Sequence, residues 1–287
     1  MHPFTYTRPA SLAEAVALLA ERGPDARVLA GGTDLIIRLR DGSMAPGLVI
    51  DVKHVPELAP GIRVDGDTLV IGATTVMTDI AAHPVIRREL AALAEAAAVV
   101  GSIQIRNRAT IGGNLCNASP AADTAPALLV HGAVAVAAGP EGVRRIPVDA
   151  LFVRSGVTTL ARGELVTAVE VPLPGDRVAS AHERRTRRRG HDLASVTLAC
   201  GVDRAGVARI ADGSVGPRPL LRQDPTGVLA DPGASDEVKA AIFEAIFADA
   251  SPSARSMRAG PEYRIAMLRV LGRRALASAL ARLAAGE

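Results

Sequence analysis

The stretch SIQIRNRATIGGNLCNASPAADTAP, residues 102–126, joins Gly112-Gly113 to Asn107, Asn114, Asn117, Pro120 and Pro126 with no sustained hydrophobic period. Such a composition supplies bare backbone amides, tight turns and small hydrogen-bonding groups. It is not expected to supply a hydrophobic core. A second stretch of the same character, Ala30-Gly31-Gly32-Thr33-Asp34, lies upstream. Each follows an apolar or hydroxyl-bearing approach, and each leads toward a helical pattern. Together they read as two loops that hold a phosphate-bearing cofactor.

Working outward from these loops, Ser11-Leu12-Ala13-Glu14 has the spacing of a capping box, in which a hydroxyl and a carboxylate satisfy opposing orphan amides. Leu12, Val16 and Leu19 then fall on one helical face, and Gly23-Pro24 ends the helix. Ala26 to Ala30 reads as a buried strand that empties into Gly31-Gly32. Leu35, Ile36 and Leu39 suggest a helix, and Leu48 to Asp51 a second strand. Residues 1–57 are therefore expected to form an α/β unit.

From Ile62 the pattern changes. Asp65-Gly66-Asp67 reads as a hairpin turn, followed by helices over Thr78 to Ala82 and Val85 to Val100. After the quoted stretch, Ala133 to Ala138 and Val143 to Pro147 flank a Gly139-Pro140-Glu141-Gly142 turn. Leu165 to Val171 reads as a strand closing a second unit at residue 175. Residues 176–287 then carry a basic run, Arg184 to Arg189, a hairpin around Arg204-Ala205-Gly206, and helices over Ser235 to Phe247 and Pro261 to Leu283. Strands before helices imply an α+β terminal domain.

The totals bound the function. The 287 residues include 48% hydrophobic and 22% charged, ordinary for a globular chain, but only 2% aromatic, so the core must be aliphatic. A net charge of +3 is too mild to argue for nucleic acid. Cys116 and Cys200 cannot form a disulfide framework or hold a cysteine-ligated cluster. No apolar run is long enough to span a membrane, and a reducing cytoplasm is the expected location.

In Gly31-Gly32-Thr33-Asp34, a strand entering two glycines and then a helix aims amides at an anion. The spacing matches neither the dinucleotide fingerprint nor the P-loop. Thr110-Ile111-Gly112-Gly113-Asn114 repeats the device, and Asp123 stands within reach of a ribose hydroxyl if the loop folds back. Each residue also has a plain structural reading: Asn114 and Asn117 as turn formers, Asp123 as the cap of a short helix. Two such loops in one chain favour a dinucleotide. Cys116 reads as structural, while His182, His191 and the arginine run read as surface.

The run RNRATIGGNLCNASPAADTAPAL with VLAGGTDL upstream resembles the FAD-binding medium subunit of the molybdenum hydroxylases, which include xanthine dehydrogenase and aerobic carbon monoxide dehydrogenase. Phe4-Thr5-Tyr6-x-Arg8-Pro9, Gly163-Glu164-Leu165 and Glu262-Tyr263-Arg264 extend the resemblance over nearly the whole chain. It implies an α+β architecture: a vanillyl-alcohol-oxidase (PCMH)-type FAD-binding fold of two α/β subdomains plus a C-terminal α+β domain. By carry-over, Leu29, Ala30, Gly31, Gly32, Thr33, Asp34 and Leu35, with Thr110, Gly112, Gly113 and Asn114, would hold the FAD pyrophosphate region. Asp123 would take an adenosine-side hydroxyl, Leu165 or Val166 would pack near the flavin, and Arg184 stands where the family has lysine. Ala109 replaces a common glycine, so a negative φ is expected there.

The implied role is electron relay. Substrate is oxidised at molybdenum in a large molybdopterin subunit, and electrons cross a small two-iron–two-sulfur subunit to FAD. NAD⁺, oxygen or another carrier is the acceptor. No catalytic acid, base or metal ligand is expected in this chain. The alternative is a self-contained FAD-dependent oxidase or reductase of the same fold.

Overall fold

The structure is a computed structural model that describes residues 1–173 and 178–286. It begins with β1 (Thr5–Thr7), α1 (Leu12–Arg22), β2 (Ala26–Leu29), α2 (Leu35–Asp41) and β3 (Leu48–Asp51). Ser11 caps α1, its Oγ accepting from the Glu14 amide at 3.2 Å. The Glu14 carboxylate reaches back to the Ala10 amide at 2.7 Å, one residue before the position the motif predicts. The three strands form a parallel sheet in the order β1-β3-β2. Parallel strands need crossover connections, and α1 and α2 lie between successive strands in the chain. The strands' carboxyl ends, Thr7, Leu29 and Asp51, consequently share one edge, the side on which open parallel sheets present a crevice. Tyr6 donates its hydroxyl to Asp51 there, and Lys53 Nζ donates to the same carboxylate at 2.6 Å.

The middle of the chain builds a five-stranded antiparallel sheet from β4 (Ile62–Asp65), β5 (Thr68–Gly72), β6 (Val134–Gly139), β7 (Gly142–Pro147) and a later strand, Leu165–Pro172. Between β5 and β6 run six short helices: α3 (Met77–Ala82), α4 (Pro84–Glu89), α5 (Ala91–Ala98), α6 (Ile103–Arg106), α7 (Ile111–Cys116) and α8 (Thr124–Val130). After β7 come α9 (Val148–Leu151) and a small hairpin, β8 (Phe152–Arg154) with β9 (Val157–Thr158); β10 is Leu165–Pro172. The sheet order is β4-β5-β10-β6-β7. Thr167 interrupts the β10–β6 register between Val166 and Ala168, and its carbonyl accepts from the Ala73 amide at 2.9 Å.

Two expectations fail here. The helix expected over residues 85–100 is two helices, broken at Leu90 (φ −129°, ψ 51°) with no glycine or proline to mark it. Ile86 and Leu93, on either side of the break, are both buried. The stretch expected to be too polar for a core contributes Ala109, Ile111, Leu115, Ala118, Ala122 and Ala125 to the main hydrophobic cluster. Several short helices replace one long helix, so the apolar residues need no sustained period to point inward.

The last unit is an antiparallel sheet of β11 (Ala179–Arg185), β12 (Val196–Val202), β13 (Ala208–Gly213) and β14 (Leu220–Gln223), with α10 (Asp236–Ile246) and α11 (Pro261–Ala285). The alternation of β12 sends Leu198, Cys200 and Val202 into a core shared with Leu268, Leu271 and Leu276 of α11. Ala199 and Ala211 face the other way and join the main cluster with α8. Small residues are required on that face: a Cβ on Gly213 would stand 2.8 Å from the Pro120 carbonyl oxygen. This close packing brings the start of α8, and with it Asp123, against β11. The expected division between residues 175 and 176 lies outside the described residues.

Candidate functional site

The first glycine loop lies at the carboxyl edge of the parallel sheet, where β2 ends and α2 begins. Gly32 has φ +76°, a conformation that side-chain-bearing residues avoid. Gly31 is needed for a different reason. A Cβ there would lie 2.1 Å from the Arg108 carbonyl oxygen and 3.1 Å from Ala109 Cα. The first loop thus rests directly on the backbone that leads into the second. Arg38 on α2 reinforces the contact, donating to Asn117 Oδ1 at 2.9 Å.

The two loops use their amides differently. In the second, Ile111 N donates to the Thr75 carbonyl at 3.0 Å, Gly112 N to Ala73 at 2.9 Å and Asn114 N to Thr110 at 2.9 Å. Gly113 N donates to Thr110 Oγ1 at 3.2 Å, so the Thr110 hydroxyl serves as the cap of α7. Gly112 is buried against Ala73, whose Cβ would stand 2.7 Å from an added Cβ. In the first loop, the amides of Gly32, Thr33, Asp34 and Leu35 meet no acceptor among the described residues. The expectation of bare amides therefore holds for residues 32–35 and not for residues 111–114. The second loop offers side chains instead. Thr124 donates its hydroxyl to Asn114 Oδ1 at 2.6 Å, which leaves the Asn114 nitrogen as a donor for another group. Gly113 is exposed beside it. Ala109 is not among the residues of positive φ, as its identity requires.

Asp123 is 7% exposed and precedes α8 without capping it through its side chain. Its Oδ2 accepts from Arg184 Nη1 at 2.8 Å. Its Oδ1 is buried with no hydrogen-bond partner, and an orphaned buried carboxylate oxygen is costly unless a donor completes it. Arg184 also donates to the carbonyls of Val99 at 2.6 Å and Asp192 at 2.7 Å, so three bonds hold it in place. It spans the ends of α5, α8 and the β11–β12 connection and fixes the carboxylate. His182, expected at the surface, is half-buried as a residue, with its side chain only 3% exposed. Its Nε2 lies 2.9 Å from Thr197 Oγ1 and 3.7 Å from Asp123 Oδ1. The reason is its place in β11, where Arg185 points outward and His182 inward between β12 and α8. His191 is exposed, as expected.

Leu165 and Val166 are each 5% exposed, Leu165 in the core of the first unit and Val166 in the main cluster. Leu29, Ala30, Thr33 and Leu35 are half-buried and Asp34 is exposed, all near the Gly31 contact. Cys116, at the end of α7, is exposed, yet the surrounding protein pushes its thiol up to about 11 by desolvation, opposed by a hydrogen bond from the Val166 backbone. Residues that sequence reasoning did not assign to the site are Arg38, Asn117, Thr124 and His182. Asn117 and Thr124 lay within the quoted stretch; nothing in the sequence marked Arg38 or placed His182. Among the described residues no group of histidine, cysteine or carboxylate side chains could hold a metal ion.

The donors and acceptors fit a dinucleotide. Four unpaired amides suit a pyrophosphate, an oriented Asn114 amide suits a polar contact opposite, and the orphaned Asp123 oxygen suits a hydroxyl. Comparisons with known proteins agree with that chemistry. The profile described as the FAD binding domain in molybdopterin dehydrogenase matches residues 2–174, and that of the CO dehydrogenase flavoprotein C-terminal domain matches residues 182–279. The chain is similar to the carbon monoxide dehydrogenase medium chain of Hydrogenophaga pseudoflava, 35% identical over 98% of each chain. The xanthine dehydrogenase FAD-binding subunit of Escherichia coli O157:H7 is 31% identical over 96% of each. Among solved structures, carbon monoxide dehydrogenase from Hydrogenophaga pseudoflava superposes with a TM-score of 0.90 at 34% identity, covering 97% of this chain and 98% of that one.

Proposed function

The chain belongs to the family of FAD-binding domains of molybdopterin dehydrogenases, and from that premise we propose that it is the FAD-carrying electron-transfer subunit of a heteromeric molybdenum hydroxylase. The observations that carry the reading are the unfilled amides of Gly32 to Leu35 and the unfilled Asp123 Oδ1, with the first loop resting on the backbone that leads into the second. Ala30 to Leu35 hold the pyrophosphate region. Asn114, exposed Gly113 and the Thr110-capped turn form the opposite wall. Asp123, fixed by Arg184, accepts from a hydroxyl on the adenosine side. Leu165 and Val166 contribute backbone, since their side chains are buried.

When bound, FAD supplies a centre that takes up electrons and yields them to an acceptor. This chain's own work is to seat, orient and shield it. The partners in this reading are a small two-iron–two-sulfur chain and a large molybdopterin chain, and the acceptor is NAD⁺, oxygen or another carrier. The matched relatives named as carbon monoxide dehydrogenase medium chains support assembly with other chains. Residues 1–57, 58–175 and 176–287 are proposed as the three units, consistent with their separate sheets. No described helix is long and apolar enough to cross a membrane.

The test is copurification. A tagged chain expressed with its neighbouring genes should bring down an iron–sulfur chain and a molybdenum chain, and its flavin should bleach when the complex receives substrate. A yellow chain that oxidises an organic substrate unaided would overturn the relay reading.

A further inference from the structure

The start of α11 holds an arginine that neither the cofactor gap nor the fold explains. Arg264 is 3% exposed, yet among the described residues no carboxylate meets it. Its Nη2 donates to Ser256 Oγ at 2.8 Å, and its Nε is buried without a partner. The neighbouring cation makes matters worse. Arg258 is half-buried, donates to the Ala194 carbonyl at 3.0 Å, and is close enough to act on Arg264 electrostatically. Desolvation and then this repulsion lower the basicity of Arg264; desolvation and then Arg187 lower that of Arg258.

The nearby carboxylate, Asp192, attracts Arg258 but is bonded elsewhere and does not contact Arg264. Asp192 is engaged by Arg187, with Nη2 to Oδ1 at 3.0 Å and Nε to Oδ2 at 3.3 Å, and it also accepts from the Arg187 and Leu193 amides. Those bonds, chiefly from the Arg187 side chain, pull its carboxyl down to about 2. Among the described residues, neither Arg258 nor Arg264 has a carboxylate in hydrogen-bond contact. A buried charge left unpaired is costly, so a fold that keeps one is expected to receive its counterion from outside.

Three more donors face the same place. The 25-residue helix α11 starts at Pro261 behind Gly260, with no side-chain cap. The amides of Glu262 and Tyr263 meet no acceptor among the described residues, since the first bond of the helix runs from Arg264 N to Gly260 O. Ser256 Oγ accepts from Arg264 and from the Arg258 amide at 3.3 Å, so its own proton is free to donate. Because a helical side chain leans toward the helix start, the Arg264 guanidinium lies back over these groups, as its bond to Ser256 shows. The one opposing charge on this turn is Glu262, which is exposed.

We propose that Arg258, Arg264, Ser256 and the first amides of α11 form a binding site for a small phosphate-type oxyanion, separate from the gap between the glycine loops. Two forked guanidinia, a hydroxyl and bare helix amides match a tetrahedral oxyanion with several acceptors better than a planar carboxylate. Asp192 connects the site to Asp123: its charge acts on Arg258, and its carbonyl accepts from Arg184, which also donates to Asp123. The site does not rest on the cofactor reading, because none of its residues lies in the loops.

Thermal unfolding of the full chain in inorganic phosphate, against sodium chloride of equal ionic strength, tests the site. Phosphate should raise the melting temperature saturably, by about 5 °C at a hundredfold excess over its dissociation constant. Arg264→Met should abolish that response, Arg258→Met should weaken it at least tenfold in phosphate concentration, and exposed Arg255→Met should leave it unchanged. Both site variants should unfold no earlier than the parent without phosphate, since each removes an unpaired charge. A parent chain with no phosphate-specific shift, or Arg258→Met with an unaltered one, would overturn the proposal. So would stabilisation by acetate equal to that by phosphate, which would point to a carboxylate of a partner protein.

Discussion

Replacing Gly31 by alanine forces a methyl group into the backbone beneath it. The added Cβ would lie 2.1 Å from the Arg108 oxygen, 2.9 Å from the Arg108 carbonyl carbon and 3.1 Å from Ala109 Cα. All three are main-chain atoms that cannot rotate away. Ordinary contact begins near 3.4 Å, so the loops must part by about 1 Å. Overpacking of this kind costs about 1–3 kcal/mol. The strain falls on the contact that sets the width of the proposed FAD gap. If half or more of it, about 0.5–3 kcal/mol, is relieved when the loops separate, FAD binding should weaken by roughly 2–150-fold. The assay is a titration of apo-chain with FAD, followed by flavin fluorescence, alongside thermal unfolding of the apo-chain. Gly61→Ala serves as control, because its Cβ would meet nothing within 4 Å, and it should stay within about 0.5 kcal/mol of the parent. Gly113→Ala should fall between them, since its Cβ meets only Thr110 Oγ1 at 2.9 Å. A Gly31→Ala chain with parental FAD affinity would refute the claim that the loop contact sets the gap.

Asp123→Ala should weaken FAD binding by about 1–3 kcal/mol, the worth of a buried acceptor for a hydroxyl. If Asp123 only anchors Arg184, the melting temperature will fall while the FAD dissociation constant stays the same. His131 gives a pH signature, because burial, aided by Arg209, lowers its pKa from 6.5 to about 4. Its Nε2 lies 3.0 Å from Ser180 Oγ, which already accepts from Ala92 N, so the hydroxyl proton points to a neutral imidazole. The unfolded chain binds the extra proton between those values, so stability should fall by about 3 kcal/mol as pH drops from 6.5 to 4. His131→Gln should flatten that part of a urea-midpoint profile; an unchanged slope would remove His131 as its source. Cys116, with its thiol near 11, should alkylate slowly at neutral pH in the apo-chain and more slowly with FAD bound, as mass spectrometry can follow.

Local signals in the sequence carried far where the chemistry was local. The Ser11 cap, the Gly66 turn and the Gly139–Gly142 hairpin all appear in the structure, because each depends on residues adjacent in the chain. The strand from Ala26 into Gly31-Gly32 was legible for the same reason. Pairing across the chain was not. No residue type announced that Gly31 rests on Arg108, that α7's amides are consumed by Ala73 and Thr75, or that Leu90 breaks a helix rich in alanine. His182 was misplaced because its neighbours Glu183 to Arg189 are polar, whereas strand alternation turns it inward beside Asp123. The hairpin of β8 and β9 and the edge strand β14 carry too few apolar residues to stand out.

The most direct test is a crystal structure of the chain with FAD. The account predicts the pyrophosphate on the amides of Gly32 to Leu35 and a hydroxyl on Asp123 Oδ1. FAD density elsewhere on the chain, or a pyrophosphate that leaves those amides unpaired, would contradict it.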